Sequence, residues 1–314
     1  MTEDVVPRST SNNSVQLLKR NAVGTFGVIF MAVATAAPIT AMVGNVPIAV
    51  GFGNGAHAPA GYLVATIVLG LFAIGYATMA KHITSTGAFY GYISHGLGRV
   101  IGMASGLIIT MAYVVFEGSL IGIFAFFFQN LFDSQFGIQI HWLIPALLML
   151  ALNCILTYFD VNLTAKVLGV FLITEIVMLS LGALAVAVKG GGPDGFAVGQ
   201  ILNPVGAFQP AAIAGASAGL GLFFAFWSWV GFESTAMYGE ESKDPKKIIP
   251  RATMIAVLGV GIFYIFVSWM AIAGTARRSR SSSRRAPTPA RRSSSARCAA
   301  PTASGPSRCS TSCW

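Results

Sequence analysis

Charge is almost missing from seven long stretches of this sequence, and that feature restricts the fold more than any other. The stretches are Val23–Val50, Ala60–Met79, Val100–Gln129, Trp142–Tyr158, Val167–Val188, Ala211–Tyr238 and Ala252–Gly274. A helix needs about 20 apolar residues, at 1.5 Å each, to cross a hydrocarbon layer about 30 Å thick. All but the fourth stretch meet that length comfortably. Composition agrees: 54% of the 314 residues are hydrophobic and 10% are charged, against roughly 25% charged in a soluble domain. The expectation is an all-α polytopic membrane protein. Residues 1–22 form a cytoplasmic N-terminal segment, 23–275 a domain of seven transmembrane helices, and 276–314 a disordered tail rich in Arg, Ser, Ala and Pro.

Orientation follows from the basic residues. With the N-terminus inside, the cytoplasmic segments hold Arg8, Lys19, Arg20, Lys81, Arg99, Lys166, Lys243, Lys246, Lys247 and Arg251, and the outer loops before the tail hold Lys189. That asymmetry predicts a cytoplasmic N-terminus in the cytoplasmic membrane. The first residues are polar and the first apolar stretch is too long for a signal-peptide core, so no cleavable leader is expected.

The tail breaks this pattern. The net charge of +9 resides in it, since the acidic residues all precede Ala276 while nine arginines follow. Seven spans would leave those arginines outside. A reading-frame shift in GC-rich DNA accounts for the abrupt change, so the tail is not read as a nucleic-acid ligand. A genuine basic tail is the alternative, and it must explain the topological conflict. Three of the four cysteines (Cys298, Cys309, Cys313) lie there and Cys154 lies in a span, which fits neither a zinc site nor a disulfide framework. No cofactor is implied.

Two spans overshoot the bilayer, and each carries a helix-breaking element near its middle. The first has Ala37-Pro38-Ile39-Thr40 and the sixth has Ser228-Trp229-Val230-Gly231. Interrupted spans at corresponding places in two halves point to a transporter binding site. Gly98, Gly102 and Gly106, and also Gly215 and Gly219, are spaced by four, which lets helix backbones approach in lipid. Three carboxylates lie inside spans: Glu117, Glu175 and Glu233. Placing a charged carboxylate there costs about 2.5 kcal/mol even on permissive scales, which makes each a candidate for gating or proton coupling.

The loop from Gly231 through Glu233, Glu240-Glu241-Ser242, Asp244-Pro245-Lys246-Lys247 and Pro250-Arg251 to Ala252 resembles the signature of the amino acid–polyamine–organocation permeases. Leu17-Leu-Lys-Arg20 and Gly87-Ala-Phe-Tyr-Gly-Tyr92 with Leu97-Gly98 agree in order. Pro250 is expected at the start of the seventh helix, where its missing N–H costs nothing. The resemblance implies a five-plus-five inverted repeat, usually of twelve spans, with helices 1 and 6 discontinuous; this chain would hold the first repeat and two helices of the second.

It also implies a small-molecule substrate, an amino acid or polyamine. The substrate carboxylate would meet N–H groups around Ile39–Ala41, after Pro38, and the Thr40 hydroxyl. The amine would meet carbonyls near Trp227 and Val230, between Ser228 and Gly231. Trp227 would form a lid, a cation–π contact worth up to about 2 kcal/mol, while Trp229 would point elsewhere. Glu233 is the strongest gating or coupling candidate. The alternative for the polypeptide is an inactive permease fragment from a disrupted gene. A retinal protein is disfavoured, because Ala252–Gly274 carries no lysine. An enzyme is not expected, since no catalytic pairing occurs within the spans.

Overall fold

The computed structural model describes residues 24–83, 87–158, 161–190, 196–239 and 242–285, with side-chain surroundings omitted for 157, 161–167 and 275–285. The segment 1–22 with its Leu17–Arg20 motif, Glu240–Glu241, and the tail from 286 lie outside these residues.

The regular elements are helical: α1 (Thr25–Ala36), α2 (Val46–Phe52), α3 (Ala58–His82), α4 (Ala88–Leu97), α5 (Arg99–Phe136), α6 (Leu143–Tyr158), α7 (Val161–Val188), α8 (Val198–Ile201), α9 (Ala218–Trp227), α10 (Ser234–Met237) and α11 (Pro245–Arg285). Among the described residues, five helical stretches are long and apolar enough to cross a membrane: Thr25–Phe52, Gly55–His82, Arg99–Phe136, Leu168–Val188 and Pro245–Gly274. Two further apolar helices, Leu143–Leu156 and Ala218–Trp227, are shorter. The chain is thus a polytopic helical membrane protein.

The packing sorts these helices into two groups. α3 and α11 pair along their lengths, α1 lies against α11, and α9 packs on both α2 and α3. Their shared core holds Tyr62, Trp229 and Tyr264, all essentially fully buried, set among Ala41, Ala65 and Ala225. Small residues let the helix axes close in, and the large rings fill what remains. In Pro245–Gly274, 50% of the most apolar stretch is buried, against 0% in Arg99–Phe136. α5 and α6 therefore form the periphery, and the first, second, sixth and seventh apolar segments form the inner bundle.

Three expectations change. The sixth span does not start at Ala211. Residues 211–217 instead run beside the end of α2, where the N–H groups of Ala211 and Ser217 donate to the carbonyls of Gly53 and Phe52, both at 2.9 Å. Gly98 is a hinge and not a helix-packing position: its φ of 91° takes the chain from α4 into α5, a conformation that costs glycine little. Gly102 then serves α4, since a Cβ there would lie 2.0 Å from Ser94 Oγ. Pro250 lies inside α11, because the helix starts at Pro245, where the Asp244 carbonyl accepts the Lys247 and Ile248 N–H groups. Proline at the first helical position presets φ, so Pro245 takes the role expected of Pro250.

Candidate functional site

The first break is visible residue by residue. α1 stops at Ala36, and Ala37 adopts the left-handed conformation (φ 44°, ψ 72°) with its N–H on the Ala34 carbonyl at 3.2 Å. Pro38 explains the stop, because its ring disfavours the α conformation of the residue before it and it carries no N–H to continue the ladder. The chain resumes as a wide π-type turn, Thr40–Asn45, and then α2. Ala41 returns its N–H to the Ala37 carbonyl at 3.2 Å. Of the N–H groups expected to face a carboxylate, Ala41 is thus already engaged. That of Ile39 meets Glu175 Oε2 at 3.4 Å.

The left-handed Ala37 supports one prediction. An L-residue in that conformation costs about 1–2 kcal/mol, and the added freedom of glycine in the unfolded chain takes back roughly half of it. Ala37→Gly is therefore expected to hold or raise the thermal midpoint of the solubilised chain. A clear fall in midpoint would show that the conformation is not the native one.

The second break begins where α9 ends at Trp227. A run of turns carries the chain from Ser228 to Glu233 before α10. The Ser228 hydroxyl fastens this break to the first. Its single proton goes to the Phe224 carbonyl at 2.8 Å, so it accepts from Asn45 Nδ2 at 2.9 Å and from Tyr62 Oη at 3.0 Å. Asn45 and Ser228 are both buried, and an unsatisfied buried polar group would cost about 1–3 kcal/mol. Tyr264 Oη donates to the Ala36 carbonyl at 3.2 Å, which caps the end of α1. The Trp227 carbonyl accepts the Val230 N–H at 3.1 Å.

The two tryptophans diverge. Trp229 is buried in the bundle, its ring against Tyr62 and Tyr264 and its Nε1 donating to the Val257 carbonyl at 3.4 Å. Trp227 is half-buried, stacked on Phe223 and edge-on to Phe116 of α5, with centroids 5.4 and 5.5 Å away.

The three carboxylates part company as well. Glu233 is buried and accepts from Tyr113 Oη of α5 and from the Gly231 N–H at 3.1 Å. Tyr76 Oη donates to the Glu233 carbonyl at 2.9 Å, so both of its ends are held. Glu175 faces the first break. Glu117 accepts from Asn153 Nδ2 at 2.8 Å, which groups it with the α5–α6 pair and not with the breaks. Among the described residues the ion pair is Lys247–Asp244, at the foot of α11, so no cation neutralises these carboxylates by direct pairing.

Sequence reasoning missed Asn45, Tyr62, Tyr113 and Tyr264. Their signal was present: a tyrosine hydroxyl in mid-span must find a partner, and the interrupted helices supply acceptors.

The arrangement presents two facing helix breaks joined by a hydroxyl network, with one carboxylate on an N–H at the first break and another braced beside the second. No curated protein matches, but the amino acid permease family matches residues 27–306, which takes in both breaks, the loop before α11 and part of the Arg-rich segment. The chain belongs to the amino acid permease family, within the amino acid–polyamine–organocation superfamily.

Proposed function

We propose that this permease is a secondary active transporter that moves an amino acid or related amine across the cytoplasmic membrane, coupled to protons or to exchange. Membership of the family supports transport of amino acids in general. The finer reading rests on one contact, the Glu175 carboxylate at the Ile39 N–H. An N–H freed by a broken helix, at the positive end of a helix dipole, attracts a carboxylate. In the substrate-free chain Glu175 stands in for the carboxylate of a zwitterion. An arriving substrate takes its place and offers its ammonium to carbonyls around Trp227 and Val230. The displaced Glu175 carboxylate then takes up a proton from the side the substrate entered, and it releases that proton on the other side when the substrate leaves and the carboxylate returns to the Ile39 N–H.

The charge asymmetry supports a cytoplasmic N-terminus. In the described part, Lys81, Arg99, Lys243, Lys246, Lys247 and Arg251 flank the predicted inner ends of the spans.

Uptake of labelled amino acids into proteoliposomes tests the contact. Hydrogen bonds to a charged acceptor are about twice as strong as neutral ones, so the amide in Glu175→Gln competes less well for the Ile39 N–H. The KM for zwitterionic substrates is expected to fall about threefold to tenfold, while accumulation against a gradient is lost. An unchanged KM together with unchanged accumulation would remove Glu175 from the site.

A further inference from the structure

We infer that the groove between the feet of α3 and α11 is a binding site for an anionic phospholipid. The groove is open to the surface and has a volume of about 730 Å³, and its lining includes Lys81 from α3 and Lys246, Lys247 and Arg251 from α11. Its remaining wall is largely apolar, with Ile74 and Ile255 both more than half exposed. Four cations converge there. Lys247 is paired with Asp244 at 3.2 Å, and among the described residues no carboxylate pairs with the other three. Like charges gathered on one rim repel each other, and an anion seated there offsets that repulsion.

The wall selects the anion. Ile74 and Ile255 lie about two turns or less from the cations along spans that enter the hydrocarbon. A phospholipid satisfies both halves at once, phosphate on the rim and acyl chain along the wall, whereas inorganic phosphate or an acidic peptide satisfies only the rim. A basic pocket between spans on the cytoplasmic side suits an anionic headgroup, and each Lys or Arg near an anionic surface is worth about fivefold in affinity. Because α3 and α11 are the most extensively paired helices of the inner bundle, a lipid seated there braces the two together.

The site rests on the transport reading only in that this end faces the cytoplasmic leaflet. The test is native mass spectrometry of the full chain in detergent, offered equal amounts of phosphatidylglycerol and phosphatidylcholine with matched acyl chains. Phosphatidylglycerol adducts are expected to exceed phosphatidylcholine adducts at least about fivefold. Combining Lys81→Gln, Lys246→Gln and Arg251→Gln is expected to bring the ratio near one, while Lys81→Arg with Lys246→Arg keeps it. Millimolar orthophosphate is expected to leave the adduct in place; displacement by orthophosphate would assign the groove to the free ion and overturn the lipid. Equal adducts in the parent chain, or an undiminished preference in the triple Gln variant, would also overturn it. If the Gln variant does not survive solubilisation, salt replaces it. At about 1 M the Debye length falls to about 3 Å, and a ratio insensitive to that salt rejects the site. Binding is read without transport, so failed uptake and failed lipid binding remain separate results.

Discussion

Gly231→Ala is expected to abolish uptake and to lower the thermal midpoint of the solubilised chain more than any other single substitution at the two breaks. Gly231 has φ +107°, and a Cβ there would lie 2.6 Å from Thr35 Cγ2 and 3.0 Å from the backbone C and O of Thr35. The first contact is with a side chain. The other two are with α1 itself, so relief requires moving one broken helix away from the other. Backbone strain at such a φ and overpacking in a filled site each cost about 1–3 kcal/mol. The Gly231 N–H also serves Glu233, so a shift at 231 disturbs the carboxylate. A variant with parental midpoint and uptake would mean that the two breaks are not in contact.

The second large effect is at Glu233, where two substitutions separate bracing from gating. Glu233→Leu removes the acceptor from both the Tyr113 hydroxyl and the Gly231 N–H. Each donor left buried and unpaired costs about 1–3 kcal/mol, so loss of uptake is expected together with a lower midpoint. Glu233→Gln keeps the shape: its Oε1 can accept from Gly231 while its amide donates to a rotated Tyr113 hydroxyl. That variant is expected to fold near the parental midpoint and to slow transport about tenfold, the equivalent of about 1.4 kcal/mol at the barrier. A parental transport rate in Glu233→Gln would take gating away from this residue. Parental stability in Glu233→Leu would show that the bracing from α5 is not formed.

Much of the site was legible because its causes are local. Pro38 withholds an N–H and restricts Ala37 before it, both local effects, and the turns after Trp227 occur in a stretch that pairs serine and glycine with bulky residues. The 231–252 loop carries a long spaced pattern, which is why the residues alone make the family evident. The failures share a physical cause as well. Spacing by four suggested helix packing for Gly98 and Gly215, but both have positive φ, at 91° and 84°, and neither lies within a helix. The apolar run from Ala211 read as helix because hydropathy does not register where N–H groups find carbonyls, and here they find those of Phe52 and Gly53.

The sequence by itself determined the class of protein, the residues where two of its apolar segments break and the family. All of these depend on properties carried by neighbouring residues: transfer to lipid, lost N–H groups and a spaced motif. Only the tertiary structure decided which carboxylate faces a break and which is braced elsewhere. Glu175, Glu233 and Glu117 are alike in the sequence, yet one meets Ile39, one meets Tyr113 and Gly231, and one meets Asn153. Those partners lie far away in the chain in nearly every case, and a hydrogen bond needs two atoms within about 3 Å, a condition that helix packing sets and local sequence does not.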